Sequence, residues 1–258
     1  TAMGFDTTAS GTDSTAMGDN TTASGTSSTA MGNTTEASGT DSTAMGYDTT
    51  ASGENSSAMG ESTTASGFSS TAMGESTTAS EDYSTAMGIS TTASGIASTA
   101  MGFDTTASGY SSTAMGESTT ASDFGSTVIG QYNLSGSTVT NSATIYNTDN
   151  TAFVIGNGTG TGAAASDAFK VMFNGDTTVS GSVTATEFIG DGSLLTNLPT
   201  GGDSPFSPND TDSSGIQSAT NTASGTYSTA MGKNTTASGN YSTAMGYNST
   251  ASESFSTA

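Results

Sequence analysis

Residues 15–28 read TAMGDNTTASGTSS, and this fourteen-residue frame, T-A-M-G-x-x-T-T-A-S-G-x-x-S, starts at Thr1 and recurs nine times in register to Ser126. It returns as a partial copy at Asn221 and runs to Ala258. Self-similarity at a fixed period means a stacked architecture, in which each unit buries its face only against its neighbours. The short period, the glycine punctuation and the lack of an i, i+3, i+4 apolar pattern argue against helical repeats. They predict an all-β chain with one coil of a parallel β-solenoid per unit.

Alternation along a strand sorts its two faces. In Thr15-Ala16-Met17-Gly18 the Thr and Met share one side and the Ala and Gly the other. In Thr21-Thr22-Ala23-Ser24 the first Thr and the Ala share a side. A coherent coil then puts Met3, Met17, Met31, Met45, Met59, Met73, Met87, Met101 and Met115 in the core, facing the alanines from Ala9 to Ala121. That leaves an Ala/Gly face outside the first strand, to be buried against another protomer, and a Thr/Ser face outside the second, fit for water. The G-x-x corners accept almost anything, from Phe5-Asp6 to Ile89-Ser90. Glycine is kept at the first corner of every full unit, which implies positive φ or close backbone approach. At the second corner it gives way to Glu81, Asp123 and Glu253.

Only 31% of residues are hydrophobic and 10% charged, a composition that alone would predict disorder. The strict period supplies the alternative, because stacked coils pair their backbones and need only small side chains. Lys170 and Lys233 face 23 acidic residues, for a net charge of -21. Nucleic acid and anionic membrane surfaces are therefore disfavoured partners. No apolar run approaches the ~18 residues of a membrane span. The chain starts and stops inside the repeat without an initiator Met, as a window of a longer protein would. With no His and no Cys, Ser/His/Asp and Cys/His catalysis are excluded. The corner carboxylates Asp6, Asp13, Asp41, Asp48, Glu61, Glu75 and Glu117 suit solvation, and no two of them stand out as a hydrolytic pair. A non-enzyme is expected.

The register breaks after Gly130. The expected division is a roll at 1–130, short connector strands at 131–165 and a hairpin module at 166–199, turning at Asn174-Gly175-Asp176. A Gly/Pro/Asp/Ser linker at 200–220 and an incomplete second roll at 221–258 complete it.

The A-M-G-x-x-T-T-A-S-G pattern resembles the head repeat of YadA-like trimeric autotransporter adhesins, V-A-I-G-x-x-A-x-A-x-G. Thr-Ala-Met-Gly stands where Val-Ala-Ile-Gly would be, with Met for Ile and Thr for Val. The resemblance covers 1–130 and 221–258 and implies a left-handed parallel β-roll, three chains side by side, in an extracellular fibre or on a cell surface. The segment from Asp167 to Pro199 is similar to connector modules of phage tail fibres and bacterial surface fibres. Homotrimers or higher self-assembly, and surface glycans or another cell surface, are the partners these likenesses imply. A phage tail fibre segment or a self-assembling structural filament is the alternative.

The corner aromatics Phe5, Tyr47, Phe68, Tyr83, Phe103, Tyr110 and Phe124 are candidate ligand contacts, or covers for seams between protomers. No cofactor is expected. Calcium would suit the hard oxygen ligands, yet neither a G-G-x-G-x-D nonapeptide nor an EF-hand loop occurs, and only Asp191 and the Asp203, Asp210, Asp212 group invite it. N-x-S/T triplets begin at Asn20, Asn33, Asn55, Asn234, Asn240 and Asn248. Thr8, Thr22, Thr50, Thr64 and Thr78 would align as in ice-binding solenoids, with Glu36 interrupting the row; hydroxyl ladders also simply solvate a sheet face.

Overall fold

The computed structural model describes residues 1–134, 136, 139, 142–184, 207–208, 216–217 and 221–258. Two compact units emerge, Thr1–Thr184 and Ala185–Ala258. In each, a coil consists of one long strand and one short strand joined by two tight corners. The second coil is typical: Thr15–Asp19, a corner, Thr22–Ala23, a second corner. Long strands stack on long strands and short on short, all parallel, with partners fourteen residues apart, as in Met17↔Met31 and Ala23↔Ala37. The first unit thereby builds a nine-stranded sheet of short strands facing a longer sheet. This is the parallel β-solenoid that the period predicts.

The faces of the long strand are the reverse of the sequence expectation. Ala16, Ala30, Ala44 and their equivalents are fully buried. Met17, Met31, Met45, Met59, Met73, Met87, Met101 and Met115 lie half-buried on the outer side, and Met3 is 60% exposed. Room inside the coil is the reason. Its interior holds Ala16, Thr21, Ala23 and Ser28, all 0% exposed, so nothing larger than Thr separates the two sheets. A short strand of two residues and two tight corners leave a perimeter that a ring of methionines would overpack. The alanines of the short strand point inward as expected, and the face offered outside the long strand is Thr/Met rather than Ala/Gly.

Glycine at the first corner is required by contact and by conformation. Gly18 has φ of 132°, and a Cβ there would meet the Gly32 carbonyl oxygen at 1.8 Å. The residue after each corner's first variable position is left-handed too, but carries a side chain: Asp13, Asn20, Asp41, Asn55 and Ser69 have φ between 52° and 59°. Asp and Asn tolerate that region best. Serine hydroxyls close the second corner by donating three residues back, as Ser42 does to the Gly39 carbonyl at 2.6 Å.

After Gly130 the roll does not stop at once. Thr151–Asn157 lies parallel beside Thr127–Gln131, pairing Val128 with Val154 and Ile129 with Ile155. V-I-G at 128–130 recurs at 154–156, so the connector supplies one more long strand after a longer detour. The sheet then turns antiparallel: Asp167–Met172 returns along this strand and pairs with Thr177–Val179 around Asn174-Gly175. The short-strand sheet ends on a side chain. Asn133 accepts the Thr120 N–H through Oδ1 at 2.8 Å and donates from Nδ2 to the Thr120 carbonyl at 3.0 Å. Its amide thus takes the place that the next coil's backbone holds elsewhere, as the Thr119 carbonyl does for the Thr106 N–H. Asn221, at the same coil position in the second unit, accepts from Thr235 N–H and donates to the Gly232 carbonyl. Nearly all of the sequence-expected linker 200–220, and residues 185–199 of the hairpin module, lie outside the described residues.

Candidate functional site

Because alanine takes the inside, the long-strand sheet shows Thr, Met and a variable residue outward. Register makes each a row along the roll. The middle row runs Met3, Met17 and onward to Met115, then Ile129 and Ile155, with every member the direct partner of the next. At ~4.8 Å per strand these eleven rungs make an apolar ladder of roughly 48 Å. Thr15, Thr29, Thr43 and their equivalents border it on one side. The variable row on the other side mixes Phe5, Tyr47, Ile89 and Phe103 with Asp19, Glu61, Glu75 and Glu117. Glu61 and Glu75 are direct neighbours, and like charges so placed repel.

The short-strand sheet shows its hydroxyl row outward. Thr8, Thr22, Glu36, Thr50, Thr64, Thr78, Thr92, Thr106 and Thr120 are in register. Glu36 stands within this row, between Thr22 and Thr50.

The seven aromatic candidates fall into three settings. Phe5, Tyr47 and Phe103 project singly beside the methionine ladder, 78%, 55% and 51% exposed. Phe68 and Tyr83, on adjacent coils, meet edge to face at 5.5 Å. Tyr110 and Phe124 stack at 5.1 Å, and Phe124 continues through Tyr146 to Phe173 in two edge-to-face contacts. That last cluster welds the connector to the roll, helped by Phe124 and Tyr110 N–H groups donating to the Ser142 and Ala143 carbonyls. Its rings serve packing.

A fourth aromatic group was not singled out from the sequence. Tyr227, Tyr241 and Phe255 occupy one corner position on three successive coils and stack at 5.2 and 5.1 Å. Their spacing of fourteen residues was the available signal.

Carboxylates do not converge. Among the described residues no group of three or more could hold a metal ion, and Asp191, Asp203, Asp210 and Asp212 lie outside them. Asp123, replacing a corner glycine, is buried and accepts the Thr151 N–H at 2.8 Å. Burial raises the Asp167 carboxyl above its ordinary value, opposed by the Leu134 N–H and the nearby Lys170 ammonium. Both acids anchor the connector. No described helix is long and apolar enough to cross a membrane.

The family model of the YadA head domain repeat matches residues 1–21, 9–35, 37–63, 65–91, 82–105, 93–116, 107–133, 223–249 and 237–258. The chain belongs to this family. A comparison with curated proteins returns no match. The YadA head matches coincide with the coils and leave out the connector. Within the YadA head frame, the outward methionine occupies the position expected for isoleucine, and Ile129 and Ile155 restore isoleucine at the end of the ladder. Membership places the chain, coarsely, with self-assembling adhesin segments rather than with enzymes.

Proposed function

We propose that this chain is a non-enzymatic segment of an extracellular trimeric fibre or adhesin, assembled through its methionine ladder. The observation that supports this reading is the ladder itself. A continuous outward apolar stripe of eleven rungs is more than a monomer usually leaves in water. Methionine is a flexible thioether that fills irregular gaps, well suited to a seam between identical rolls. Three chains side by side bury three such stripes against one another. The corners stay outside and are repeated along the fibre, so weak contacts multiply by avidity.

Native mass spectrometry of the whole chain tests this. The expected species is a trimer. The Met73→Asp/Met87→Asp double variant should be a monomer with its β-type circular dichroism retained, since these side chains lie outside the coil. A wild-type monomer overturns the reading. An adhesin also binds a surface through its corners, and Tyr47→Ala with Phe103→Ala should weaken that binding without changing mass.

A further inference from the structure

We propose that the methionine ladder is a modification site for peroxides, and that its oxidation to sulfoxide parts the chains without unfolding the coils. The proposal rests on the assembly reading above and adds to it a class of reactant and a control over the seam.

In the rolls, sulfur occupies one place in each coil. The chain has twelve methionines, no cysteine and no tryptophan, so its thioethers are the groups that a two-electron oxidant meets. Nine of the twelve, Met3 to Met115, form the ladder of the first roll, each rung the direct partner of the next. The family frame has isoleucine here, and the chain itself keeps isoleucine at Ile129 and Ile155. An apolar seam can therefore be built without sulfur. What methionine brings besides compliance is a reactive atom.

The two faces of the long strand decide what oxidation does. The interior of a coil is Ala16, Thr21, Ala23 and Ser28, all fully buried, and peroxide oxidises none of these residue types. The ladder lies on the opposite side of the same strands, half-buried in the single chain and 60% exposed at Met3. In the reaction the thioether sulfur attacks one oxygen of hydrogen peroxide and the O–O bond breaks. The attacked oxygen stays on sulfur as the sulfoxide and the other leaves as water; sulfur gives up two electrons and peroxide takes them. No backbone pairing and no interior contact is lost. The apolar stripe, however, becomes a row of polar groups, and burying that row against neighbouring chains strips it of water. On a lone roll the same groups stay hydrated. Had methionine filled the coil, the same chemistry would have unfolded it.

The test oxidises the whole chain with hydrogen peroxide in urea, where every methionine is open, and refolds it beside an untreated sample. Peptide mass mapping counts the sulfoxides, circular dichroism reads the fold and native mass spectrometry the assembly. The untreated chain is expected as a trimer and the oxidised chain as a folded monomer, its assembly weakened at least tenfold. A variant with Met→Leu at all nine positions from Met3 to Met115 retains Met172, Met231 and Met245 and should stay trimeric after the same treatment. Methionine sulfoxide reductases for both sulfoxide epimers should return the oxidised wild type to the trimer. An oxidised chain that loses its β-type circular dichroism, or a leucine variant that dissociates on oxidation, overturns the proposal. An untreated trimer that survives oxidation of its ladder overturns this proposal alone, whereas an untreated monomer overturns the assembly reading and this one with it.

Discussion

Each coil places a threonine hydroxyl in a space that methyl groups would fill as well. Thr77 is fully buried and its Oγ1 has no hydrogen-bond partner, a burial that costs about 1–3 kcal/mol. Valine has the same shape without the hydroxyl. Thr77→Val should therefore raise stability by about 1 kcal/mol, read as a higher denaturation midpoint with an unchanged slope; a lower midpoint would show that the hydroxyl is paired. Corners offer a second single-residue test. Ala97 has φ of 55°, where alanine gains nothing and asparagine is better tolerated. Ala97→Asn is expected to stabilise by up to about 1 kcal/mol, while the same change at an ordinary strand position would not.

At the level of the strand, the question is which face is inside. Ala72→Leu puts three extra heavy atoms between two closely packed sheets and should cost more than about 2 kcal/mol. Met73→Leu, on the outer side of the same strand, should cost under about 1 kcal/mol in the single chain. Comparable losses at both positions would contradict the observed packing. The period, the coil length and the two corners were legible in the sequence, because glycine spacing and repetition state them directly. The choice of face was not, since alternation of period two reads equally well either way. Hydrophobicity favoured Met17 inside; the volume enclosed by a coil whose other members are Thr21, Ala23 and Ser28 favours Ala16. The eleventh rung was hidden for a different reason. Its V-I-G at 154–156 lies 26 residues after that at 128–130, and a search at fourteen passes over it. Asn133 gave no signal at all: an amide that ends a sheet looks, in sequence, like any corner residue.

Across the whole molecule, charge repulsion opposes the stack. With 23 acidic residues, two lysines and carboxylates such as Glu61 and Glu75 on adjacent rungs, folding brings like charges together. Screening at these distances requires more than dilute salt, since the Debye length is still about 10 Å at 0.1 M. The thermal midpoint should climb between about 0.01 M and 1 M NaCl, and Glu61→Gln should reduce that climb. A midpoint that falls with salt would mean that attractive pairs outweigh repulsion.

A ladder whose rungs are alike carries no address. Methionine meets methionine from Met3 to Met115, so two such ladders laid together fit almost as well after sliding by one rung as before. The slide forfeits only the contact at the end. In the proposed trimer, zero would be marked where the rungs cease to be alike, at Ile129 and Ile155. β-Branched side chains are stiff where methionine is compliant, so the last two rungs can reject a misaligned neighbour that the other nine would accept. Those two isoleucine rungs would be the vernier against which a uniform scale is read.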